Sequence, residues 1–128
     1  MLKIYIGNCY SHKLASLDVT YAWPEEMRSP WEQLDWFDNH LKLFQTKDIS
    51  IKTFSPYILN YINLKLMKDE LDYDNLEVWE INYDEETDSY DIYDLKILNE
   101  KLIDARSLSD PITYIYDEYR KAKIEKNT

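Results

Sequence analysis

A chain of 128 residues, 45% apolar and carrying 12 Tyr, 4 Trp and 3 Phe, is long enough to bury one modest core and too rich in aromatics to stay disordered. Its one glycine, Gly7, excludes the multi-glycine loops GxxxxGK[ST] and GxGxxG that cradle phosphates, and its one cysteine, Cys9, excludes an internal disulfide. The net charge of −10 is local: residues 69–94 hold 12 acidic and no basic residues, leaving 13 acidic and 15 basic residues elsewhere.

Leu2-Lys3-Ile4-Tyr5-Ile6 alternates and is partly β-branched, which predicts a short strand ending at Gly7-Asn8. Residues 9–28 carry no clean period, and Ala22-Trp23-Pro24-Glu25-Glu26 reads as a loop holding an aromatic. Ser29-Pro30-Trp31-Glu32 is a helix start: Ser29 caps, Pro30 suits the first helical position and Glu32 completes a capping box. Trp31, Leu34, Phe37, Leu41 and Phe44 then recur at spacings of 3, 3, 4 and 3 and are expected to pack, whereas Trp36 lies off that stripe and is the candidate exposed contact. Residues 48–53 alternate as a second strand, which feeds a second helix through Ser55-Pro56. That helix has the face Tyr57, Ile58, Tyr61, Ile62 and Leu66 and ends near Lys68. A strand turning into a helix at Thr53-Phe54-Ser55 lies at the carboxyl edge of a sheet, where α/β proteins hold ligands.

The acidic window contains two strand patterns, Leu76–Tyr83 and Ser89–Leu95, joined by Asp84-Glu85-Glu86-Thr87-Asp88, and predicts an antiparallel hairpin. Its charge reads first as a solvated face that discourages edge-to-edge association. Calcium fits poorly, because the loop lacks the glycine and spacing of an EF-hand. Leu102–Ser109 reads as a connector, and Asp110-Pro111 as the start of a third helix with the face Ile112, Ile115, Tyr116, Tyr119 and Ala122. Cys9 and His12 would be the sharpest catalytic pair, but no third orienting group accompanies them. No apolar run approaches the ~20 residues of a membrane span or reads as a signal peptide, so a cytoplasmic protein is expected.

Thr53-Phe54-Ser55-Pro56-Tyr57-Ile58-Leu59 resembles the H-loop of bacterial ABC-type AAA ATPases of the SMC-like and OLD-like group, where a strand delivers T-H-S-P-[YF]-[IL]-L. Residues 4–16 can be laid on that family's Walker B strand and D-loop, h-h-h-D-E-P-E-x-H-L-H-P-S, and residues 102–119 resemble its tail. The resemblance implies the C-terminal half of an ATPase head with its chemistry erased. The acidic pair that holds the magnesium water shell and polarises the attacking water falls on Gly7 and Asn8, His12 keeps a D-loop histidine, and the switch histidine that senses the γ-phosphate is Phe54, followed by Ser55 and Pro56.

The expectation is therefore a single α/β domain over 1–128, a small mixed sheet of parallel core strands plus an antiparallel hairpin over about 76–95, with about three packed helices. No catalytic residue, metal ligand or cofactor is expected. The function expected is non-catalytic protein–protein interaction in a bacterium or phage, with a full-length ATPase or another basic or apolar protein surface as partner and with neither nucleic acid nor membrane bound directly. Trp36, Trp79, Asp84, Glu85 and Glu86 are the candidate partner contacts. The alternative is an acidic inhibitor, immunity protein or DNA mimic that uses residues 69–94.

Overall fold

Leu2, Ile4 and Ile6 are buried because β1 (Leu2–Gly7) is an interior strand of the sheet, flanked on both sides. The computed structural model describes residues 1–7, 19–84, 86–97, 102–103 and 106–127; Asn8, Cys9, His12 and Glu85 lie outside them. After β1 come β2 (Tyr21–Ala22), helix α1 (Pro30–Thr46), β3 (Ile49–Lys52), helix α2 (Pro56–Met67) and a 3-10 turn at Tyr73–Asn75. The hairpin β4 (Leu76–Asp84) and β5 (Ser89–Asp94) follows, then a small ribbon of β6 (Lys96–Ile97) and β7 (Leu102–Ile103), and finally helix α3 (Arg106–Lys126). The sheet order is β2-β3-β1-β4-β5; β2, β3 and β4 run parallel to β1, and β5 is antiparallel to β4. This is the small α/β fold with a mixed sheet and three helices that the sequence predicts.

Register aligns Leu2 and Ile4 with Ile49 and Ile51 of β3 and with Leu76 and Val78 of β4, so one sheet face is a continuous apolar layer. It shares one core with Phe37 and Phe44 of α1 and with Ile58, Leu59, Ile62 and Leu66 of α2. The two helices meet directly: Phe37 and Tyr61 pack edge to face at 5.8 Å. Between them Lys65, almost buried, donates to Glu70 at 2.7 Å and to Asp38 at 3.0 Å, while the Tyr61 hydroxyl donates to Asp38 at 2.7 Å. These contacts raise the pKa of Lys65, the Glu70 hydrogen bond most. Asp38 is desolvated, which opposes ionisation, yet the bonds from Tyr61 and Lys65 outweigh that and hold its carboxyl below the ordinary value.

The Ser29 capping box forms as expected, and its hydrogen bonds to Glu32 lower that carboxyl's pKa. The packing stripe of α1 is displaced. Trp36 is 8% exposed and Trp31 is 78% exposed, the reverse of the expected pair, because the buried face runs through Gln33, Trp36, Phe37 and Phe44. At 3.6 residues per turn Trp31 stands about 120° around the helix from Phe37. Trp36 is therefore removed as a candidate surface contact. Tyr57 likewise turns outward, and Leu59 and Lys65 join the buried face of α2.

Two further differences concern backbone. β2 forms where a loop is expected, through parallel pairing with β3. Helix α3 begins at Arg106, four residues before Asp110, and carries Pro111 inside it. Described α3 side chains from Asp110 to Lys126 are exposed, so among the described residues its apolar stripe joins no buried core. Among the described residues, no helix is long and apolar enough to cross a membrane.

Candidate functional site

Four parallel strands end at the same edge of the sheet, and there the turn Thr53-Phe54-Ser55 is bolted to the loop after β2. Thr53 continues the ladder for one more bond, its N–H donating to the Tyr5 carbonyl at 3.0 Å, while the Trp23 N–H donates to the Lys52 carbonyl at 2.7 Å. Glu25 then reaches across: its carboxylate accepts from the Phe54 N–H at 3.1 Å and from the Thr53 hydroxyl. The Thr53 hydroxyl oxygen accepts from the Ser55 N–H at 3.0 Å, and the Ser55 hydroxyl caps α2 by accepting from the Ile58 N–H at 3.2 Å. That same hydroxyl donates to the Gln33 side-chain oxygen, whose amide nitrogen donates to the Arg28 carbonyl at 3.3 Å. Arg28 closes the circuit by donating to the Pro24 carbonyl at 2.7 Å.

The polar side chains of this turn are engaged internally: Thr53 and Ser55 are buried, and both Glu25 oxygens accept hydrogen bonds. Above it the rings of Trp23 and Phe54 stack, with centroids 5.5 Å apart and planes 7° from parallel, and the Lys52 ammonium lies 5.6 Å from the Trp23 ring. Such an arrangement fixes backbone and offers an apolar lid.

The loop itself is strained. Trp23 and Met27 adopt φ of 53° and 58°, the left-handed region that favours glycine, in a chain with none to spare. Asp69 and Asp88 occupy the same region at two other turns, as expected of a glycine-poor sequence. Met27, in the same loop as Glu25, is wholly exposed, and so for the most part is Trp31 in the first turn of α1.

Of the sequence-predicted site residues, Phe54, Ser55 and Pro56 fall in this turn and Gly7 ends the neighbouring β1. Trp79, Asp84 and Glu86 stand apart on the hairpin, Trp79 half-buried and the two acids exposed. The sequence reading misses Glu25, Gln33, Met27 and Trp31. Gln33 carried a usable signal, a polar residue four positions after a cap on a helix that needs Ser55's proton accepted; Glu25 bonds across 28 positions and carried none locally. Among the described residues, no group of three or more His, Cys, Asp or Glu side chains is placed to hold a metal ion. No family model, no curated protein and no solved structure matches the chain.

Proposed function

We propose that the chain is a non-catalytic, ATPase-like protein that acts by binding another protein, with a full-length ATPase of a defence or DNA-maintenance system as the partner class. The observation that carries this reading is the turn after β3: the position that the resemblance gives to the switch histidine is held by Phe54, whose ring stacks on Trp23, and the positions it gives to the acidic pair are Gly7 and Asn8, which cannot ionise.

Met27 and Trp31 support the binding half. Trp31 is a large side chain with only two rotatable bonds, held outward on the capped first turn of α1, which is the character of an interface anchor, and Met27 adds exposed apolar area. The test is capture of partners from the native cell by the wild-type chain and by Met27→Ala/Trp31→Ala. Loss of an ATPase from the captured set in the variant, with an unchanged melting curve, is the expected result. Magnesium-ATP is expected to leave the melting temperature of the wild type unchanged, and a rise would overturn the non-catalytic reading.

One observation favours the inhibitor reading as well: Asp69, Asp72, Asp74, Asp84, Glu86 and Asp91 are all exposed along one continuous stretch of chain. A partner held through those carboxylates dissociates steeply as salt rises, and a partner held through Met27 and Trp31 does not.

A further inference from the structure

Helix α3 is 21 residues long and projects Ile112, Ile115, Tyr116 and Tyr119 into solvent at 43–65% exposure. Spacings of 3, 1 and 3 put these on one face, and Lys123 and Lys126 continue that face toward the C-terminal end. The face is thus apolar first and basic second. A helix of this length depends on packing for most of its stability, so a surface of the opposite pattern is to be sought.

The β4–β5 hairpin has that pattern. β5 is the edge strand, and Ile92 on it is 61% exposed. Register puts Ile92 beside Ile81 and Asp94 beside Trp79 on one sheet face, and strand alternation places Glu77 on that face too, so the strip runs from apolar at Ile81 and Ile92 to acidic at Asp94 and Glu77. No basic residue occurs between Lys68 and Lys96.

We infer that α3 docks on the β4–β5 hairpin of a second copy of this chain, in a two-fold dimer where each copy supplies one helix and one hairpin. With a two-fold axis relating the copies, both helices and both hairpins are used at once, so the arrangement closes at two copies. The charges agree: residues 120–126 contain four basic side chains and one acidic, against the wholly acidic hairpin. Tyr116 and Tyr119 alone leave roughly 100–150 Å² each to be covered, and two symmetric helix–hairpin contacts reach on the order of 1,500 Å², the size of a stable interface. Pairing two α3 helices instead would bury Lys126 against the apolar end of an antiparallel neighbour, or lysine on lysine in a parallel one. Within a single copy, β7 is fixed to α2 by a reciprocal pair of hydrogen bonds between Asn63 and the Ile103 backbone, at 3.0 and 2.8 Å, just before α3 departs with its side chains uncovered. The inference stands independently of the ATPase-like reading, and it occupies the hairpin that the inhibitor reading requires.

The test is analytical ultracentrifugation of the full chain and of two charge reversals, Lys123→Glu/Lys126→Glu and Glu77→Lys/Asp94→Lys. The wild type is expected to sediment as a dimer of the 15.5 kDa chain at micromolar concentration and to dissociate as salt rises. Each reversal alone is expected to weaken the dimer about tenfold or more. An equimolar mixture of the two restores it, because an acidic helix then meets a basic hairpin and a basic helix an acidic one. A wild type that stays monomeric, as docking within one copy or on a different partner requires, overturns the inference. So does a dimer indifferent to both reversals, or a mixture no tighter than its components.

Discussion

Replacing Glu25 by alanine removes the carboxylate that ties the loop after β2 to the turn after β3. Two hydrogen bonds to a carboxylate are lost, one from the Phe54 N–H and one from the hydroxyl of buried Thr53. Bonds to a charged group contribute roughly 1.5–3 kcal/mol each, and Glu25 is only half-buried, so water recovers part of that; the expected net loss is about 2–3 kcal/mol. For a domain of this size that lowers the melting temperature by roughly 6–15 °C. Urea titration followed by tryptophan fluorescence reads both the global loss and the local one, since Trp23 lies stacked on Phe54. A cycle of Glu25→Ala with Thr53→Val is expected to give a coupling of about 0.5–3 kcal/mol. Loss below about 0.5 kcal/mol for Glu25→Ala, or strict additivity in the cycle, would show that the clamp carries no stability and refute the reasoning.

Tyr73→Phe is expected to hold or raise stability, by up to about 1 kcal/mol in urea titration, because the Tyr73 hydroxyl is the one buried side-chain polar atom without a hydrogen-bond partner among the described residues. Its ring stays beneath the Lys96 ammonium, 4.2 Å from the centroid, in the variant as well. Lys65→Met is expected to cost only about 1 kcal/mol, since the orphaned Asp38 and Glu70 are both more than a third exposed and rehydrate. Because the Asp38 pKa is depressed in the folded chain, its contribution is present above the ordinary aspartate value and is lost as pH falls through the depressed one. Asp38→Asn should therefore flatten the acid side of a melting-temperature profile and leave the neutral region's slope unchanged. Phe54→Ala is expected to lower the melting temperature through the lost stack; an accompanying loss of captured partner would make the ring part of the interface as well.

Elements with local signals were legible. The hairpin announced itself through two alternating runs around an acidic turn, and both Ser-Pro starts gave helices capped as drawn. What failed was whatever depends on a distant neighbour. β2 is two residues long and exists because Ile51 and Lys52 lie alongside Tyr21 and Ala22, which no period in residues 9–28 encodes. On α1 the spacings of 3 and 4 admit two overlapping stripes, and sequence alone chose the one through Trp31 where the sheet covers the one through Trp36. For α3 the amphipathic face was expected to pack on the sheet, whereas its described side chains from Asp110 to Lys126 are exposed. The site divides the same way: Ser55 and Pro56 were visible as a cap, whereas Glu25 and Gln33 act through bonds spanning 28 and 22 positions.

The position of β1 between β3 and β4 also constrains how the chain is made. A ribosome delivers Leu2, Ile4 and Ile6 before the strands that flank them, Ile49–Lys52 and Leu76–Asp84, so the layer's middle waits exposed while its sides are synthesised. Parallel pairings at such sequence separation form slowly, and an unpaired apolar strand is open to association with other chains during the interval. Yield in expression should accordingly depend on translation speed through residues 50–84 and on chaperone supply more than on the stability of the finished fold.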